Sequence, residues 1–204
     1  MLVLGCAVAV VCVGVGAAVV HAAGARSAPK AKTVPVTVGP SGNKVFSPAV
    51  VKAKLGDTVA WTWGSSNHTS TDATGLGLWD SGTRSINGSF NFTFAHAGTY
   101  NYECTIHVFS GMTGKVRVPL AIASTSATSI TLTWATVAPP ANLVEDVQQE
   151  APGATKFTTI VNGSSALSEP LTLTSGAWKF RARYRNASTG KKTSWSPAAK
   201  VTIT

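Results

Sequence analysis

Apolar and polar residues alternate with a period of two along most of this chain. Thr58-Val59-Ala60-Trp61-Thr62-Trp63 places Val59, Trp61 and Trp63 on one side of an extended segment. Ser89-Phe90-Asn91-Phe92-Thr93-Phe94 does the same with three phenylalanines, and Thr99 to Cys104 turns Tyr100, Tyr102 and Cys104 to one inward face. Val34-Pro35-Val36-Thr37-Val38 predicts an opening strand whose proline suits a sheet edge. Val50 to Lys54 runs into a Leu55-Gly56-Asp57 turn, and Thr113 to Val118 closes this half. Further strands are expected at Ser129–Trp134, Val144–Gln149, Lys156–Val161, Pro170–Thr174, Ala177–Asn186 and Val201–Ile203. Gly and Pro punctuate the chain, and no long stretch has helical period. The predicted fold class is all-β.

The first twenty residues break the pattern. Met1 to Val20 carry no charge and consist mainly of Val, Ala, Leu and Gly, followed by small-residue cleavage patterns at Val20-His21-Ala22 and Ala23-Gly24-Ala25. Residues 1–22 are therefore expected to be a signal peptide or an N-terminal anchor, and 23–32 a Pro/Ala/Lys-rich linker. The expected location is outside the cytoplasm: secreted, periplasmic or cell-surface. The remainder suits two small domains, at 33–118 and 119–204.

Charge adds little about the first domain and more about the second. The formal net charge is +9, yet residues 33–118 hold six basic and four acidic side chains and residues 119–204 hold eight and four. Within Ala177–Asn186, Trp178, Phe180, Ala182 and Tyr184 alternate with Lys179, Arg181, Arg183 and Arg185. One face of that strand is core and the other a basic ladder. An ordinary solvated sheet face is the first expectation; if the ladder binds anything, anionic cell-surface polymer or lipid headgroups fit, and nucleic acid does not.

The chemistry sits in Cys104-Thr105-Ile106-His107-Val108-Phe109-Ser110-Gly111-Met112, spaced C-x2-H-x4-M directly after a strand. Of three cysteines, Cys6 and Cys12 fall in the apolar leader, so Cys104 has no disulfide partner. Soft sulfur with imidazole selects copper, and two histidines, a thiolate and a weak axial thioether describe a type 1 electron-transfer site. His68, at the end of the Trp61–Trp63 strand, is the candidate second histidine. His21 belongs to the leader, and His96, at an Ala-His-Ala-Gly turn, is expected to be exposed. Two histidines leave no room for the clusters of a multicopper oxidase, so an electron carrier and not an enzyme is expected.

Phe46-Ser47-Pro48, Leu55-Gly56-Asp57-Thr58-Val59, Asn67-His68-Thr69, Gly98 to Cys104 and the Cys-His-Met loop together resemble the plastocyanin/pseudoazurin branch of the cupredoxins. The resemblance covers residues 33–118 and implies a Greek-key β-sandwich holding one type 1 copper through His68, Cys104, His107 and Met112. It also places the His107 edge, framed by Val108 and Phe109, where a redox partner would dock. Many members have Asn directly after the first ligand histidine; here Thr69 follows and Asn67 precedes. Trp134, the Phe180–Arg183 strand and Trp195-Ser196-Pro197 resemble a fibronectin type III domain, an immunoglobulin-like sandwich. A second expectation is a copper-binding module for storage, delivery or sensing at the cell envelope.

Overall fold

The computed structural model describes residues 31–204; the leader, with Cys6, Cys12 and His21, and most of the linker lie outside the described residues. Among the described residues the regular elements are strands, apart from two single 3-10 turns.

The first sandwich holds β1 (Thr33–Val38), β2 (Phe46–Ser47), β3 (Val50–Lys52), β4 (Thr58–Trp63), β5 (Thr71–Asp72), β6 (Ser89–Thr93), β7 (Gly98–Glu103) and β8 (Thr113–Val118). They form two four-stranded sheets, β2-β1-β4-β6 and β3-β8-β7-β5. The chain crosses between the sheets repeatedly, and β1 pairs parallel with β4 as β3 does with β8. Pro35 is tolerated because β2 pairs only with Thr37 and Val38, so the neighbouring side of β1 at Pro35 has no strand to receive an N–H. Val59, Trp61, Trp63, Phe94, Tyr100 and Tyr102 are buried as the period-two pattern requires. Phe90 and Phe92 are only partly buried, because β6 is the edge strand of its sheet.

The second sandwich holds β9 (Ala121–Ser124), β10 (Ser129–Thr133), β11 (Leu143–Glu150), β12 (Thr158–Ser164), β13 (Ser168–Thr172), β14 (Gly176–Asn186) and β15 (Ala199–Ile203). Its sheets are β13-β10-β9 and β12-β11-β14-β15. Trp134, Trp178, Phe180 and Ala182 pack its core, as the alternation in β14 indicates. The outward ladder is not a free row of cations, because β11 lies beside it in register. Lys179 pairs with Glu150 (2.6 Å), and Arg183 and Arg185 share Asp146 (2.9 and 3.0 Å). Arg181 bonds the neutral amide of Gln148 (3.0 and 2.7 Å).

The two sandwiches meet along a tight seam. Only Pro119 and Leu120 separate β8 from β9, and Leu120 is buried in the second core. The Ala97 N–H donates to Trp134 O (2.7 Å), Thr136 N–H to Ala95 O (2.9 Å), and Thr99 and Ser194 exchange backbone bonds (2.9 and 3.1 Å). His96 corrects the expectation of an exposed turn residue: it is 8% exposed. Its Nδ1 lies 2.8 Å from Oε1 of the fully buried Glu145, and its ring stacks on Tyr184 at 4.1 Å and 7°. The turn is polar and glycine-bearing, but the second sandwich covers it, and nothing local to the turn reveals that cover.

Candidate metal centre

β7 delivers Cys104 into the end of the first sandwich's core, where the sulfur is fully buried beside Tyr102 and Met112. The loop that follows is closed by its own backbone. The His107 N–H donates to Cys104 O (3.0 Å), Cys104 N–H to Met112 O (3.1 Å), and Met112 N–H to His107 O (3.3 Å). Val108–Ser110 makes one 3-10 turn, and Gly111, at φ 79, ends it in the left-handed region.

His68 arrives from the other sheet. β4 ends at Trp63, and Asn67 takes φ 63, a left-handed value that asparagine tolerates. The His68 backbone is then pinned twice: Trp63 Nε1–H donates to its carbonyl (2.9 Å), and Arg84 N–H does so as well (3.0 Å). On the imidazole, Nε2 lies 3.1 Å from Ser65 Oγ, whose hydroxyl proton is committed to Gly39 O at 2.7 Å. Ser65 Oγ therefore accepts from Nε2–H, leaving Nδ1 with a lone pair. Gly39 is required here. At φ +64, a Cβ on it would collide with Ser65 Oγ and lie 2.6 Å from His68 Nε2.

Three donor atoms converge. His68 Nδ1 lies 3.0 Å from His107 Nδ1 and 3.8 Å from Cys104 Sγ, and His107 Nδ1 lies 3.4 Å from the same sulfur. Burial, then the neighbouring His107 and Lys44, lowers the His68 pKa, favouring the neutral, coordinating form. With His107 in its Nδ1–H tautomer one proton bridges the two nitrogens, and a cation in its place would engage both nitrogens and the sulfur at once. The donor set, two imidazoles and a thiol, fits copper. Met112 is buried in the same core cluster as Cys104.

Thr69 ties the two ligand-bearing loops together. Its N–H donates to Cys104 Sγ (3.3 Å). Its hydroxyl oxygen accepts from Thr105 N–H (2.9 Å) and from the Thr71 hydroxyl (3.0 Å). The departure from the family pattern at this position thus leaves the cysteine loop fastened, by a threonine hydroxyl at 69. Around the mouth, His107 is half-buried, while Ile106 and Phe109 are exposed, Phe109 completely.

Residues 34–119 match the model of the copper binding proteins of the plastocyanin/azurin family. No curated protein matches the chain in sequence. Among solved structures, the chain is similar to a purple cupredoxin from Nitrosopumilus maritimus, at 26% identity over 41% of this chain and 97% of that one, with a TM-score of 0.37. A pseudoazurin from Sinorhizobium matches at 28% identity over 43% and 73%, with a TM-score of 0.35. The oxidized plastocyanin of Dryopteris crassirhizoma matches at 25% identity over 42% and 99%, with a TM-score of 0.35.

Proposed function

From the premise that residues 34–119 are a copper-binding domain of the plastocyanin/azurin family, we propose that the protein is an exported carrier of single electrons with one type 1 copper per chain. His68, Cys104 and His107 would hold the ion, with Met112, buried in the same core cluster as Cys104, as a further and weaker sulfur donor. The observation that carries this reading is the convergence of two imidazole nitrogens and one thiol sulfur, all within 4.8 Å of one another, in a site with a buried sulfur.

Copper, when bound, supplies a one-electron couple between Cu(II) and Cu(I). The chain's own part is to keep its donors still and dry. Ser65 fixes the His68 ring and its tautomer, and the Thr69 N–H offsets part of the sulfur's negative charge. Trp61 packs edge-on to Tyr102 at 5.5 Å and 81° in the buried core cluster that also holds Cys104. With donors held this way, little has to move when charge changes. His107 is the ligand at the surface, so Ile106, Val108 and Phe109 around it form the face on which a redox partner would dock. A fully buried thiol suits a carrier better than storage or delivery, where copper must be released.

The second sandwich we read as fibronectin type III-like, because a three-stranded β13-β10-β9 sheet facing a four-stranded β12-β11-β14-β15 sheet matches that architecture. Copper titration of the full chain followed by visible absorption tests the metal reading. The wild type is expected to take up one Cu(II) with an intense thiolate charge-transfer band, and Cys104→Ser is expected to lose the band while retaining its β-sheet circular dichroism. A colourless wild-type Cu(II) complex would sink the assignment. Export is tested by finding the protein beyond the cytoplasmic membrane of its producing cell.

A further inference from the structure

Where the outward face of β7 and β8 meets the 194–197 segment there is a cleft of about 330 Å³, lined among others by Thr99, Asn101, Lys115, Arg117, Ser194 and Trp195. No carboxylate lines it. Lys115 and Arg117 are exposed and sit two residues apart on β8, about 6.6 Å along the strand. Neither pairs with an acidic group among the described residues. Lys52, also exposed, lies directly opposite Arg117 on β3, so three cations share a sheet face on which Glu103, diagonal to Lys115, is the carboxylate of β7 and makes no salt bridge with them. Like charges placed opposite one another destabilise a sheet, and a bound anion removes that cost.

The facing wall is aromatic and also positive. Thr99 Oγ1 donates to Trp195 O (2.9 Å) and holds the segment in place. The guanidiniums of Arg183 and Arg181 lie over the Trp195 ring at 4.3 and 4.9 Å, and Arg181 has only the neutral Gln148 as its polar partner. Between the walls, the Asn101 amide and the Ser194 hydroxyl line the cleft without a side-chain hydrogen bond of their own.

We propose that this cleft binds an anionic polysaccharide. Sulfate or carboxylate groups would lie against Lys115 and Arg117, ring hydroxyls against Asn101 and Ser194, and the C–H face of a sugar against the Trp195 indole. The mixture of cations with neutral amide and hydroxyl groups favours a hydroxylated polyanion over a bare phosphate chain, which offers acceptors only. β11 supplies two carboxylates to the four cations of β14, and the cleft adds Lys115 and Arg117 of β8, so the site lies across the seam and not along that strand alone. Nothing in this inference depends on copper.

The full chain, copper-free, is titrated with a defined sulfated oligosaccharide by calorimetry and chromatographed on a sulfated-polysaccharide matrix. Lys115→Gln with Arg117→Gln is expected to weaken binding about tenfold and to elute at lower salt. Lys44→Gln with Lys156→Gln removes the same charge from exposed sites outside the cleft and is expected to change affinity by less than about twofold. Trp195→Leu is expected to weaken binding without changing its salt dependence. Equal losses in the two double variants would reduce the effect to net charge and overturn the site. Inorganic polyphosphate or single-stranded DNA binding as tightly as the oligosaccharide, or an unchanged affinity in Trp195→Leu, would overturn the carbohydrate assignment.

Discussion

His68 and His96 are both buried histidines on loops of the first sandwich, and what faces their ring nitrogens differs completely. At His68, Nε2–H is committed to Ser65, and Nδ1 looks at another imidazole nitrogen (3.0 Å) and a sulfur (3.8 Å). At His96, Nδ1 meets a carboxylate oxygen at 2.8 Å, and one proton satisfies both atoms. The first cluster turns two ring nitrogens and a sulfur toward one point, the donor set of a metal site; the second pairs one ring nitrogen with one carboxyl oxygen and leaves Glu145 Oε2 buried without a partner. Burial of a histidine is thus no sign of a metal site. The sign is the convergence of several ligand atoms of metal-binding type on one point, two nitrogens and a sulfur at His68 against a single nitrogen–oxygen pair at His96.

The largest effect is expected from breaking the closed cluster. Glu145→Ala leaves the buried, neutral His96 without its hydrogen-bond partner and should cost up to about 3 kcal/mol in urea unfolding, with the copper band of the loaded protein unchanged. A loss below about 1 kcal/mol would mean that the pair behaves as an exposed one.

The pH dependence sharpens the same contrast. Burial lowers the His96 pKa to about 4, and burial followed by the neighbouring Asp146 charge raises that of Glu145 well above its usual value. A depressed histidine contributes stability fully above its unfolded pKa of about 6.5, and that stability is lost as pH falls toward about 4. A raised carboxyl contributes stability fully below its unfolded pKa of 4.5, and that stability is lost as pH rises through the raised value. Melting temperatures followed across this range should therefore decline on the alkaline side in the wild type. Glu145→Gln should remove that alkaline decline and keep the acid-side loss due to His96. An identical alkaline limb in the variant would contradict the assignment of the raised group.

The open cluster responds more finely. Gly39→Ala forces a Cβ into Ser65 and His68 at a positive φ and should cost about 1–3 kcal/mol, broadening the visible band of the copper form. Thr69→Val removes the acceptor of the Thr105 N–H and should cost about 1 kcal/mol, with faster hydrogen exchange in the cysteine loop. Met112→Leu should leave stability nearly unchanged but raise the reduction potential, because an axial donor that favours Cu(II) is lost. An unchanged potential would remove Met112 from the donor set.

Much of this was legible in the residues, for different reasons in different places. The strands around Trp61, Tyr100 and Phe180 announce themselves because each buries one face, which a period of two records directly. The two-residue strands β2 and β5 are too short to leave a pattern, and β9 carries one mostly exposed face. Cys104 and His107 are read from spacing because one loop holds them. His68 comes from another sheet and is found by elimination among four histidines. The Thr69 hydroxyl, the Ser65–Gly39 brace and the His96–Glu145 pair are invisible in sequence, since each joins segments far apart in the chain. The acidic partners of the basic ladder are hidden for the same reason: they lie on β11, 29 to 39 residues earlier, and only the register of β11 against β14 brings them together.

The Pro119-Leu120 junction has a kinetic consequence. A long flexible tether would let a surface-held copper domain sweep a volume and meet partners at many angles, with an effective concentration set by linker length. Two residues, one of them buried in the second core, allow no such sweep. A protein held through the cleft would present the His107 face at one fixed attitude, so encounter with a partner would be governed by how the partner approaches and not by the reach of the carrier.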